Sequence, residues 1–140
     1  MDDAVTAPRP VVLFLCVHNA GRSQMAAGWL RHLSQGAVDV YSGGSSPASN
    51  LNEAAVAVMA EVGIDISGEH PKPWTTAVVQ EADVIVSMGC GDTCPVYPGK
   101  RYEDWDLPDP AGKPIDTIRE IRDEIAERVR HLLESLQPRG

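Results

Sequence analysis

Apolar positions along this chain keep two rhythms that alternate from one end to the other. Val11-Val-Leu-Phe-Leu15 is an unbroken run of large and β-branched residues, the pattern of a strand covered on both faces in a parallel sheet. From Ser23 to Leu33 the rhythm changes. Met25, Ala26, Trp29, Leu30 and Leu33 recur at helical spacing, and Gly36 closes the segment. Val38-Asp-Val-Tyr-Ser42 alternates as a second strand and runs into Gly43-Gly44; Leu51 to Val62 predicts a helix capped by Asn50 or Asn52 and ended by Gly63. Pro71 and Pro73 interrupt the chain ahead of a short helix over about Thr75 to Glu81, and Asp83-Val-Ile-Val-Ser-Met88 is another buried strand. Gly89 to Pro114 is rich in Gly, Pro and Asp, with one short strand expected over Arg101 to Trp105. Ile115, Ile118, Ile121, Ile125, Val129, Leu132 and Leu136 then mark an amphipathic closing helix. Strands alternating with helices imply right-handed crossovers. The expected fold is α/β: an open, mostly four-stranded parallel sheet flanked by helices on both faces, with ligands at the C-terminal ends of its strands.

Composition narrows the class. The 140 residues suit one domain over residues 11–140, behind a flexible lead-in at residues 1–10, and 43% hydrophobic with 23% charged is a globular balance. Twelve Lys and Arg against twenty Asp and Glu leave a net charge of −8, which disfavours nucleic acid or an anionic membrane as partner. The apolar run ending at Val17 is far too short to span a bilayer, and the residues before it are acidic where a signal peptide would be basic. A cytoplasmic location is therefore expected, and the oligomeric state expected is a monomer. Three cysteines cannot all pair with one another, and in a reducing compartment they stay thiols, so Cys16, Cys90 and Cys94 read as chemistry rather than staples.

Cys16-Val-His-Asn-Ala-Gly-Arg22-Ser23 joins the first strand to the first helix. A loop in this place wraps the backbone N–H groups of Val17, His18, Asn19, Ala20 and Gly21 around a point beside a helix N-terminus, which suits a tetrahedral oxyanion. Arg22 adds a planar fork of donors, and the same positive field favours the thiolate of Cys16. Ser23 is placed to cap the helix and to donate its hydroxyl to that thiolate; the Asn19 amide can fix the loop backbone, and Gly21 offers a positive φ. Cysteine is also a common buried apolar residue, and the imidazole of His18 is as well explained by solvent as by substrate.

The stretch from Val12 to Ala26 resembles the phosphate loop of the low-molecular-weight protein tyrosine phosphatases and of the arsenate reductases built on that fold. Both share Cys, five residues, Arg and Ser, with Asn third after the Cys. The loop does not choose between them. Gly89-Cys-Gly-Asp-Thr-Cys-Pro95 does, because two further thiols at the end of a neighbouring strand permit a relay in which Cys90 attacks Cys16 and Cys94 then attacks Cys90. A phosphatase has no use for them. The pair could instead be half of a metal site with His70, or incidental, but no second Cys/His pair stands at ligand spacing and no metal is expected. The thioredoxin-coupled arsenate reductases carry such a Cys pair, the second followed by Pro as in Cys94-Pro95, although the pair is more closely spaced here.

Trp105-Asp-Leu-Pro-Asp109-Pro-Ala-Gly-Lys113 is the third matching segment. Expelling an oxygen from a bound oxyanion needs a proton, and both groups of enzymes place their general acid in an Asp-Pro pair, which points to Asp109 rather than Asp104 or Asp106. Asp-Pro is otherwise a common turn opener. Where the phosphatases would have Tyr after that Pro, this chain has Ala111-Gly112-Lys113, the reductase version. The resemblance implies reduction of arsenate to arsenite without metal or organic cofactor, with thioredoxin as reductant or a small thiol such as mycothiol in its place. The rival is a phosphatase acting through a Cys16 phospho-enzyme. Some relatives hold potassium behind the loop; Asn19, Ser42 and Asp65 resemble its ligands, but Ala27 stands where a Glu would complete the set, so no strong potassium dependence is expected.

Overall fold

The computed structural model describes residues 9–89 and 99–136. Its elements run β1 (Val11–Cys16), α1 (Arg22–Ser34), β2 (Asp39–Gly44), α2 (Glu53–Glu61), α3 (Thr76–Glu81), β3 (Val84–Ser87), β4 (Arg101–Asp104) and α4 (Ile115–Leu136). The four strands form one open sheet in the order β2-β1-β3-β4, every pairing parallel, as the alternating rhythms predict. No described helix is long and apolar enough to cross a membrane.

The unbroken apolar run of β1 has a direct explanation. Val12, Leu13, Phe14 and Leu15 are all fully buried because successive side chains enter different cores. Val12, Phe14 and Cys16 face the larger core with Met25, Trp29, Leu30, Ile118, Ile125 and Val129, whereas Leu13 and Leu15 face a smaller one with Val79, Ala82 and Ile85. Parity along the strand therefore sets the face from which Cys16 enters the loop. α4 lies on the larger face; Ile118, Ile121, Ile125, Val129 and Leu132 are buried, while Ile115, in the first turn, is 41% exposed.

Helix boundaries follow the capping chemistry with one correction. Asn52 caps α2 by accepting the Ala55 N–H, and Thr75 caps α3 by accepting the Val78 N–H. Ser23 does not cap α1. The helix begins at Arg22, its N-cap is Gly21 with no side-chain bond, and Ser23 lies inside the first turn with its hydroxyl committed elsewhere. α1 ends in a left-handed Gln35 followed by Gly36 at φ 86°.

Candidate active site

β1 ends at Cys16 and α1 starts at Arg22, so residues 16–23 stand at the C-terminal edge of the central strand. The carbonyls of Cys16, Val17, His18 and Ala20 accept N–H bonds from Ser45, Ser46, Ala48 and Asn52 in the β2–α2 connection. A trans peptide points its N–H opposite its C=O, so tying the carbonyls outward turns the following N–H groups inward. The peptide between His18 and Asn19 shows this: the His18 carbonyl goes to Ala48, and the Asn19 N–H donates to Cys16 Sγ at 3.2 Å.

Cys16 is 2% exposed, and its Sγ lies 2.9 Å from Ser23 Oγ. Asn19 Nδ2 donates to the same Oγ at 2.7 Å, which leaves the Ser23 hydrogen free to point at sulfur. Two donors thus converge on Sγ. Asn19 is fully buried with φ 51°, and its Oδ1 accepts from Gln24 Nε2 at 3.1 Å and from the Lys72 N–H at 3.0 Å. The positive φ expected at Gly21 is found at Asn19 instead; Gly21 has φ −130°. Gly21 is needed for another reason, since a Cβ there would lie 2.6 Å from Pro110 Cγ. The His18 imidazole is exposed, its Nδ1 3.2 Å from the Ser46 carbonyl.

Arg22 is 8% exposed, and its guanidinium is held by the far side of the site. Nη1 donates to the Leu107 carbonyl at 3.1 Å, and Nη2 lies 3.8 Å from Asp109 Oδ2. Asp109 turns its other oxygen to the Ala111 N–H at 3.0 Å. Cys16, Ala20, Arg22 and Asp109 line one cavity of about 140 Å³, so thiol, guanidinium and carboxyl share a chamber. Gly89, at φ 90°, closes against Arg22: a Cβ there would lie 2.5 Å from Nη1. Cys90 and Cys94 lie outside the described residues. Asp104 accepts from Ser87 Oγ at 2.9 Å, and Asp106 is exposed outside the chamber. Among the described residues no group of three His, Cys, Asp or Glu could hold a metal ion, and the His70 carbonyl accepts from Gln24.

Three contributors escaped the sequence reading. Gln24 is fully buried and joins the Asn19 carbonyl and side chain to His70; a polar residue beside the apolar positions of α1 was the available signal. Gly44 lets the loop rest on β2, since a Cβ there would lie 2.6 Å from the Val17 carbonyl; a Gly pair ending a strand is the sign of such close approach. Lys72 gave no local signal.

The residues behind the loop do not fit a potassium ion. Ala27 has no side-chain donor atom, Asp65 Oδ1 is taken by the N–H and hydroxyl of Ser67, and Ser42 Oγ accepts from the Lys72 ammonium at 3.1 Å.

The glutaredoxin arsenate reductase of Synechocystis is 38% identical over 125 residues, 87% of this chain and 95% of that protein. The Corynebacterium glutamicum thioredoxin-dependent arsenate reductase superposes with a TM-score of 0.84 at 47% identity; the match covers 95% of this chain but 64% of that longer one. An arsenate reductase in its phosphate-binding state superposes with a TM-score of 0.79 at 34% identity, covering 91% of this chain and 99% of the other. Residues 11–139 match the low molecular weight phosphotyrosine protein phosphatase family, and with the loop geometry, the parallel sheet and these relatives in agreement, the chain belongs to that family.

Proposed function

We propose that this protein reduces arsenate to arsenite, with Cys16 as nucleophile and Cys90 and Cys94 as the exchanging pair. Arsenate sits on the inward N–H groups of residues 17–21 and the Arg22 fork. The Cys16 thiolate attacks arsenic; an S–As bond forms and one oxygen leaves as water, protonated by Asp109. Ser23 and the Asn19 N–H hold the sulfur before attack. The Cys90 thiolate then attacks Cys16 Sγ, an S–S bond forms, and the S–As pair of electrons departs with arsenic, which falls from As(V) to As(III) as two thiols become one disulfide. Cys94 attacks Cys90, frees the Cys16 thiolate and leaves a Cys90–Cys94 disulfide for thioredoxin to reduce. Relatives named for thioredoxin and for glutaredoxin carry the same reaction name, which supports the chemistry more firmly than the reductant.

The observation that carries this reading is Gly89. It packs against the Arg22 guanidinium, so the residue that precedes Cys90 in sequence lies beside a side chain that lines the Cys16 chamber. The test is arsenite release in an NADPH-coupled assay, run with thioredoxin and in parallel with a glutaredoxin or small-thiol system. Cys90→Ser should abolish multiple turnover with arsenate while hydrolysis of an aryl phosphate, if any, persists. Parental arsenate turnover in Cys90→Ser would overturn the relay. The family description and the shared loop favour a phosphatase as the second reading, in which water instead of a thiol releases a Cys16 phospho-enzyme. Aryl phosphate hydrolysis without arsenite release would select it.

A further inference from the structure

A half-buried ammonium lies behind the anion loop. Lys72 belongs to the connection between α2 and α3, and it makes three contacts with the site's foundations. Its Nζ donates to Ser42 Oγ of β2 at 3.1 Å, its N–H donates to Asn19 Oδ1 at 3.0 Å, and its carbonyl accepts from the Gly44 N–H at 2.9 Å. Ser42 is 4% exposed, so the ammonium reaches inward rather than along the surface. Burial pulls the Lys72 ammonium below the usual lysine range; Glu69 opposes that pull and nearby Arg31 adds to it. A lysine held inward against its own desolvation needs a compensating role, since the long side chain ordinarily carries its charge to water.

We propose that Lys72 is a positioning residue whose ammonium, seated on Ser42 of β2, acts as a tethered monovalent cation beneath the anion loop and fixes the connection whose backbone N–H holds Asn19, and through it Ser23 and Cys16, in the geometry that receives a tetrahedral oxyanion. The proposal rests on the oxyanion role given to the loop above and adds how that loop is held. The side chains that resemble a potassium site are otherwise engaged: Ser42 Oγ accepts from the ammonium, Asn19 Oδ1 from Gln24 and the Lys72 N–H, and Asp65 Oδ1 from Ser67, while residue 27 is Ala. An arriving potassium ion would also meet a like charge. A cation carried on the chain needs no binding equilibrium of its own, because its translational freedom is already lost.

The test uses the full chain, with inorganic phosphate as probe, in NaCl and in KCl at matched ionic strength. Melting temperature and phosphate affinity of the parent should agree between the two salts. Lys72→Met, which keeps the stem and removes the charge, should bind phosphate about tenfold more weakly in both salts, because residue 27 is still Ala and no potassium site is created, with Lys72→Arg near the parent in both. Three results would overturn the assignment: a parent that tightens in KCl, a Met variant as tight as the parent, or an Arg variant as weak as the Met variant. The parent comparison decides the matter alone should the Met variant not fold. Arsenite release is measured on the same samples. A parent that binds phosphate but releases no arsenite overturns the arsenate reading and leaves the salt comparison to judge Lys72, whereas a parent that binds no phosphate overturns both.

Discussion

The anion loop and the acid loop face each other across one cavity and are held in contrasting ways. In residues 16–23 four carbonyls are tied to residues 45–52, Asn19 is bonded to Ser23, Gln24 and Lys72, and the structural side chains Asn19, Ser23 and Gln24 are fully buried. The acid loop, residues 105–114, is anchored at its start by the Trp105 N–H on the Ser87 carbonyl and by the Trp105 ring against Phe14, with centroids 5.7 Å apart. Beyond that it touches the anion loop through the Leu107 carbonyl on Arg22 and Pro110 on Gly21, and the Asp109 side chain is 47% exposed. The difference suits the roles proposed above for the two loops. A nucleophile and its oxyanion donors gain from being fixed before substrate arrives. A proton donor must reach both solvent and substrate, which a lightly held loop allows.

This contrast predicts that damage to the acid loop costs rate alone, whereas damage to the anion loop costs rate and stability together. The largest expected effect is at Asp109. Asp109→Asn should lower the single-turnover rate of arsenate attack by about 10²- to 10⁴-fold, the usual worth of a general acid, with phosphate affinity and melting temperature near the parent's. A variant within threefold of the parental rate, on the order of what a bystander carboxyl contributes, would remove Asp109 from the mechanism.

Gly44→Ala attacks the other side of the comparison. Its Cβ meets a backbone oxygen, which cannot rotate away, so the loop must shift. About 10²-fold in rate and about 1–3 kcal/mol in stability are expected, read by single turnover and by urea unfolding. Unchanged kinetics together with lost stability would mean the loop tolerates displacement and is not tightly preorganised.

Gly21→Ala lies on the boundary and sharpens it. Its Cβ meets the end of the Pro110 ring, the movable partner, so the acid loop should yield while the anion loop stays. Phosphate affinity should hold and the rate of arsenate attack fall by about tenfold, much less than for loss of Asp109 itself. Weaker phosphate binding with a normal rate of attack at saturation would reverse the assignment of which loop moves.

The smallest effect lies away from the site, where α2 meets α4. The Arg119 guanidinium, and secondarily that of Arg122, holds the Glu61 carboxyl below its ordinary value of 4.5 against a partial burial that raises it. A depressed folded value stabilises the fold above the unfolded value and loses that contribution as pH falls through the folded one. Glu61→Gln should therefore lower the melting temperature slightly at neutral pH, with the gap to the parent closing in acid below 4.5 and activity unaffected. A gap that widened in acid would show that the carboxylate is not what Arg119 and Arg122 hold.

Much of the fold was legible because its signals are local. The unbroken run at Val11 to Leu15, the helical spacing through Trp29 and Leu30, and the isoleucines of α4 each report on one element and its buried face, and periodicity within a dozen residues is enough to read them. The cluster of Cys16, Asn19, Arg22 and Ser23 was legible for the same reason, since one turn between a strand and a helix contains all four. Assigning the cap to Ser23 and the positive φ to Gly21 failed at finer resolution. Both follow general residue preferences, and here the demands of the site override them: the Ser23 hydroxyl is drawn to sulfur, and Asn19 accepts a left-handed backbone because its side chain gains three partners there.

The amino-acid sequence by itself determined the alternation of strands and helices, the loop that joins β1 to α1, and the residues within it that converge on one point, because chain connectivity already places them together. Only the tertiary structure decided the rest. The Leu107 carbonyl on Arg22 joins positions 85 apart, and the Lys72 N–H on Asn19 joins positions 53 apart. No spacing rule relates such partners; they meet because the order β2-β1-β3-β4 stacks several connections over one sheet edge. The lysine behind the loop and the glycine against the guanidinium have meaning only once the chain has closed around them.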